Sequence, residues 1–403
     1  MEAPDFRKLA DDAIDYTRAV INSYGPRLAG TEPCLKAADH IYQTYKEVCD
    51  KGEKDEYKET PDAFLRFGAV MSFFYYVSYF CLIFLGPGFS LLFAVIALSV
   101  LLFEYIVYFK YYDFYYPSKD CSNSYGVIEP KGEVKKTVIF SGHHDSAHIF
   151  NFYSEPDMYL KREIRFIIAH LYLIIYDSVL LCNSEKEWYT KAYYVHILLT
   201  LANIILFVLP IRKFASPNAT PGAGDNLAAI SMGVQLAKYF KENRLNSTRL
   251  IFASYDAEES GLRGSRKFFE MHKKEFDIPN TYNYNIDCSY FVEDLKFLNS
   301  DINGTVKLSK DVSTKCVEIA HKYGYKKAHQ CGIPFLAGGT DAAEAARAGI
   351  KATTAIGIPF DPLSKSIPYH TIRDTPEAIE PECLEAMMKV FYELVHEIDD
   401  GKL

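Results

Sequence analysis

Four long apolar runs, grouped in two pairs, interrupt an otherwise polar chain and restrict what it can fold into. Phe67 to Leu85 carries no charge, and about 20 such residues are enough to cross a bilayer core as a helix. A Gly86-Pro87-Gly88 turn leads to Phe89–Phe109, which is broken only by Glu104, and Tyr108, Phe109, Tyr111, Tyr112, Phe114, Tyr115 and Tyr116 then crowd its exit like an interfacial aromatic belt. The second pair is Ile164–Cys182, which contains Arg165, His170 and Asp177, and Ala192–Ile211, which has no formal charge but holds His196 and Asn203. The link Asn183 to Lys191 carries the only tryptophan, Trp188. Each pair reads as a hydrophobic helical hairpin that crosses a lipid bilayer and returns. The competing readings are buried helices of a soluble core, a lid, or an interface between copies of the chain in a homo-oligomer. Arg66, Lys110, Lys161, Arg162, Arg165, Arg212 and Lys213 flank the runs on the side of the polar parts, which by the positive-inside rule places those parts in the cytoplasm.

Without the runs, an α/β pattern remains. Lys135–Phe140, Arg249–Ser254, Tyr282–Ile286 and Lys351–Ile356 read as buried strands, and Leu227–Phe240 and Leu384–Ile398 as amphipathic helices between and after them. Two more helices, broken at Gly25-Pro26, fill Phe6 to Cys49. Such alternation predicts a mostly parallel central sheet flanked by helices. Residues 1–62, 117–160 and 213–403 are expected to form one split domain, with 63–116 and 161–212 as inserted hairpins. A net charge of -8 excludes the basic surface of a nucleic-acid binder, and nine cysteines without a CxxC pair exclude a disulfide framework. The polar N-terminus shows no cleavable signal peptide.

Five short motifs fall at strand ends or in the loops after them: Ser141-Gly-His143-His-Asp145-Ser146, Gly224-Asp225-Asn226, Glu258-Glu259, Asn285-Ile-Asp287 and Tyr369-His370-Thr371. An open α/β sheet places its ligand crevice there. His143, Asp225, Glu259, Asp287 and His370 supply imidazole nitrogen and carboxylate oxygen, the donors zinc takes in hydrolytic sites. They are too many for one zinc and suit two zinc ions roughly 3.5–4 Å apart, sharing a water, if one carboxylate bridges. Asp145, two positions after His143 on a strand, shares its face and is placed to hold the imidazole tautomer. Glu258, beside Glu259, is placed as the general base that passes a proton to a leaving amine. Taken singly, each motif has an ordinary structural explanation: a satisfied histidine, a solvated glutamate pair, a helix cap. Their coincidence at strand ends favours a metal site.

These residues resemble the co-catalytic zinc aminopeptidases of metallopeptidase family twenty-eight. The likeness includes the lead-in Gly25-Pro-Arg-Leu-Ala-Gly30-Thr31, Pro221-Gly-Ala-Gly-Asp-Asn226, Ala257-Glu-Glu-Ser-Gly261-Leu262-Arg-Gly-Ser265 and His370-Thr-Ile-Arg-Asp374-Thr375. It implies a zinc-exopeptidase fold, His143 and Asp287 on one zinc, Glu259 and His370 on the other, Asp225 as the bridge, and a cis peptide bond after Asp225. It also implies a peptide substrate cleaved at its N-terminal bond with Glu258 as base. Two departures stand out. Gly338-Gly-Thr-Asp341-Ala-Ala-Glu344 replaces a frequent Ser-Asp-His, and both hairpins are additions to the usual chain. Asp341 and Glu344 are the candidates for gripping a substrate's free amino group. The alternatives are a dipeptidase or carboxypeptidase of the same fold, a glutaminyl-cyclase-like enzyme, and a receptor-like relative without catalysis.

Overall fold

The strands form where β-branched and aromatic residues run without interruption. Lys136–His143 (Lys-Thr-Val-Ile-Phe-Ser-Gly-His) is buried from its second residue to its last, and Thr281–Ser289 is buried throughout. That is the signature of strands covered on both faces. The computed structural model describes residues 3–151, 159–211, 213–360 and 367–403; Arg212, one of the basic flanks named above, lies outside the described residues. The chain divides into two compact units, one made of Met1–Pro61, Pro117–Ile149 and Asn218–Leu403, the other of Asp62–Tyr116 and Phe150–Pro217.

The first unit is built on a nine-stranded sheet. Its order is Lys51–Glu59, Lys119–Ile128, Thr248–Tyr255, Lys136–His143, Thr281–Ser289, Lys351–Gly357, Leu295–Asp301 and His329–Gly332, with Val306–Lys307 beside Leu295–Asp301. The sheet is mixed. Lys136–His143 runs parallel to both neighbours, and Thr281–Ser289 runs parallel to Lys351–Gly357. Lys51–Glu59 and Lys119–Ile128 are antiparallel additions at one edge, and Leu295–Asp301 lies antiparallel to Lys351–Gly357. The expectation of a mostly parallel sheet therefore holds for the centre and for the outer pair Leu295–Asp301 and His329–Gly332, and fails at the Lys51–Glu59 edge and between Lys351–Gly357 and Leu295–Asp301. The strand Lys51–Glu59 alternates buried and exposed positions along a highly charged sequence, and so carries no hydrophobic run to betray it.

The core lies between the sheet and the helices Ala228–Glu242 and Pro381–Asp399. Phe391, fully buried, meets Phe140 edge-on at 4.9 Å between ring centres and also packs on Phe252 and Tyr284. Phe391→Ala should cost about 3–5 kcal/mol, because the cavity left among these rings has nothing to refill it. Chemical denaturation followed by circular dichroism checks this, and a loss below ~1 kcal/mol would mean the ring cluster is not the centre of the core.

At the sheet edge, the Asp50 carboxylate accepts from both terminal nitrogens of Arg244 at 2.6 Å, and Lys241 adds a third contact. Arg244, opposed by partial burial and aided by Lys241, holds this carboxyl well below the usual carboxylate range. A depressed folded value gives stability that is complete above the unfolded value of about 3.9 and lost as pH falls below it. Asp50→Asn should therefore flatten the fall of the unfolding midpoint between about pH 5 and pH 2, measured by scanning calorimetry. Identical slopes for the two proteins would remove Asp50 as a source of acid sensitivity.

The second unit is helical. Phe64–Phe84, Pro87–Ile106, Lys161–Cys182 and Tyr189–Ile211 are, by length and composition, helices long and apolar enough to cross a membrane. Many of their large side chains point outward, among them Phe84 at 66% exposure and Leu198 at 67%. Their polar residues point inward. His196 Nε2 lies 2.9 Å from Asp177 Oδ1, the Tyr172 hydroxyl lies 3.0 Å from His196 Nδ1, and both His196 and Asp177 are fully buried. Of the polar interruptions of Ile164–Cys182, His170 and Asp177 are thus buried inside the unit, while Arg165 is exposed near the start of its helix. Glu104 is handled likewise, accepting from the Tyr111 amide at 2.9 Å.

Candidate metal centre

Parallel register brings the motifs together. His143 ends its strand opposite Tyr255, and Ser141 stands opposite Asn285, so the carboxyl ends of three strands deliver His143, the Asp256–Glu259 loop and Asp287 to one edge. Asp225 comes from a tight loop before the helix Ala228–Glu242. Gly222 there takes a left-handed φ of 67°, and a Cβ on Gly224 would collide with the Tyr290 ring. The Asn226 side-chain amide donates to the Ile286 carbonyl at 2.7 Å, fastening this loop to the strand that carries Asp287. The Asp225–Asn226 peptide bond is cis.

The Asp225 carboxylate sits between two imidazoles. Its Oδ1 lies 3.3 Å from His143 Nε2 and its Oδ2 lies 3.2 Å from His370 Nε2. Glu259 Oε2 is 3.3 Å from the same His370 nitrogen, and Glu258 Oε2 is 3.7 Å from His143 Nε2. Among the described residues, three overlapping donor groups have their ligand atoms within 4.8 Å of one another: His143, Asp225 and Asp287; Asp225, Glu259 and His370; and His143, Glu258 and Glu259. Asp225 belongs to the first two. Asp287 Oδ1 and Glu259 Oε1 are buried without a hydrogen-bond donor, which is costly for carboxylate oxygens unless a cation faces them. The donor set and these unsatisfied oxygens fit zinc ions.

The electrostatics agree. Burial raises the Glu259 carboxyl to about 7, with His370 opposing the rise. Burial also lifts Glu258 well above the ordinary range; His143 opposes this, while Asp287, Glu259 and Asp341 reinforce it. Burial lowers the affinity of the His370 ring for a proton, but Glu259 and Asp225 overcome this and take it to about 10. Burial and mutual proximity thus disfavour the charged forms of these carboxyls, and a cation between them would offset that cost.

Asp145 does more than orient a ring. Its carboxylate accepts from the Glu258 amide at 3.1 Å and the Glu259 amide at 3.2 Å, while Oδ1 lies 3.3 Å from His143 Nδ1. One side chain thus ties two motifs 113 residues apart. Arg27 performs a similar task, and the motif analysis gave it no role. Fully buried, it donates from Nε to the His144 carbonyl at 2.8 Å and from its terminal nitrogens to Pro221 and Gly222 at 3.1 and 2.8 Å, while its backbone amide reaches Ser146 Oγ at 2.8 Å. Its place in the Gly25–Thr31 lead-in was the only signal. Asp256 was also missed; it accepts from the Ser122 amide at 2.9 Å and the Cys34 thiol at 3.3 Å. So was the part played by Asp374, which accepts from the Gly224 amide at 2.7 Å.

The two candidates for gripping an amino group differ. Asp341 is buried, and burial raises its carboxyl to about 7, with the nearby charge of His143 opposing. Glu344 Oε1 already accepts from Arg266 at 2.9 Å and Arg347 at 2.6 Å, so its charge is met within the fold.

Fold and site together define a metal-dependent exopeptidase architecture. Residues 210–395 match the model of Peptidase family M28. Similar solved structures are a Zn-dependent exopeptidase from Parabacteroides distasonis (15% identity, TM-score 0.59, 98% of this chain and 99% of that one) and a leucine aminopeptidase precursor from Bacteroides thetaiotaomicron (14%, 0.55, 96% of each). A glutaminyl cyclase from an Acidobacteriales bacterium is as similar (12%, 0.58, 100% and 99%). At these identities the likeness concerns the fold. No curated protein matches the chain.

Replacing Asp145 by Ala should weaken zinc binding about 10–100-fold, since both the imidazole and the Glu258-Glu259 backbone lose their anchor. Competition with a fluorescent chelator measures this. Unchanged affinity would show that the ligands hold their places without it.

Proposed function

We propose that the protein is a membrane-held, two-zinc aminopeptidase. The observation that supports this best is the Asp225 carboxylate, set with one oxygen toward each imidazole. His143 and Asp287 would hold one zinc, Glu259 and His370 the other, with Asp225 shared. Bound there, the ions supply Lewis acidity toward a peptide carbonyl and lower the pKa of water. The chain's own part falls chiefly to Glu258, whose carboxylate flanks the His143 side of the centre, accepts a proton from the attacking water and returns it to the leaving amine. The Asp145 carboxylate helps to hold Glu258 in place by accepting from the Glu258 backbone amide. Asp341 is favoured over Glu344 for the substrate's amino group, because two arginines already engage Glu344.

The four apolar helices support two hairpins in a bilayer, and the basic flanks support a peptidase unit facing the cytoplasm. Glu258→Ala should leave zinc content unchanged and lower hydrolysis of amino-acid amides by about 10²–10⁴-fold. Retained hydrolysis would remove Glu258 as the base. The cyclase reading draws on fold likeness alone, and the complete ligand set disfavours it. Incubation with a peptide beginning in glutamine separates the two: release of free glutamine supports the aminopeptidase, and loss of ammonia with the chain intact supports the cyclase.

A further inference from the structure

The second hairpin contains a cavity that the peptidase reading does not use. Its volume is about 530 Å³, within the range of small-ligand sites. Arg162, Arg165 and Lys213 line it together with Leu206, Leu209 and Ile211. These residues come from the beginning of the helix Lys161–Cys182 and the end of the helix Tyr189–Ile211, the two positions that an antiparallel hairpin brings to one level. Among the described residues, none that lines it is acidic. Beside the cavity the hairpin is apolar and outward-facing: Leu206 is 61% exposed and Ile168 54%.

Three cations and an apolar wall, at the end of a pair of apolar helices, complement an amphiphile with an anionic head. Guanidinium forks match phosphate oxygens, and basic pockets at the ends of membrane helices draw anionic lipids. A soluble anion would use the cations and leave the apolar wall without purpose. We propose that this cavity binds the phosphate head and first acyl carbons of an anionic phospholipid, an inference that rests on the reading of the helices as membrane-spanning.

The test uses the full chain purified in detergent and native mass spectrometry with phosphatidylglycerol and phosphatidylcholine of equal acyl length. Phosphatidylglycerol should be retained roughly tenfold better, the preference should vanish in R165A/K213A, and it should survive in R165K/K213R. Equal retention of the two lipids, or an undiminished preference in R165A/K213A, overturns the proposal. So does displacement of the lipid by glycerol 1-phosphate at equal concentration, which would mark a site for soluble phosphate. Protein that stays dispersed without detergent defeats the membrane reading and this proposal together. Detergent-dependent protein without lipid preference defeats the lipid site alone.

Discussion

Carboxylates crowded in a buried space at the ends of parallel strands are the constraint on which the peptidase unit depends. Asp225, Glu258, Glu259 and Asp287 are each placed where water is excluded, and their mutual repulsion there is weakly screened. Two imidazoles alone cannot neutralise such a group. The fold answers with geometry, aligning three strand ends by register, and with supports such as Arg27 and Asp145 that keep the loops from relaxing apart. Cations held by this donor set would complete the balance, and the residue groups present are ones that could hold them.

The helical unit solves a complementary problem. Its exterior is apolar, so each polar side chain along the helices must find a partner within it. Asp177, His196 and Tyr172 do so through one connected set of hydrogen bonds, and Glu104 caps its own chain at the Tyr111 amide. Basic residues are kept to the ends, where the cavity lined by Arg165 and Lys213 lies.

Much of this was legible in the chain. The buried strand Lys136–His143 announces itself by its Thr-Val-Ile-Phe run and Thr281–Ser289 by its Tyr, Tyr and Ile positions, and His143, Asp225, Glu259, Asp287 and His370 carry donor chemistry that few other arrangements use. The edge strand Lys51–Glu59 was hidden, because a charged strand half in solvent has no periodic hydrophobic signal. Arg27, Asp256 and Asp374 were hidden for another reason: their work is to bind backbone groups of segments far away in sequence, and no local pattern reports a distant carbonyl or amide.

The sequence by itself determined the chemical inventory and the division between apolar helices and an α/β body, because both follow from residue type and spacing along the chain. Only the tertiary structure decided that Asp225 faces both imidazoles, that Asp145 ties the glutamate loop to the first histidine, that two arginines occupy Glu344, and that the sheet, parallel at its centre, takes antiparallel strands at the Lys51–Glu59 edge. Those are matters of register and of contact between segments more than a hundred residues apart in places, which local propensity does not encode.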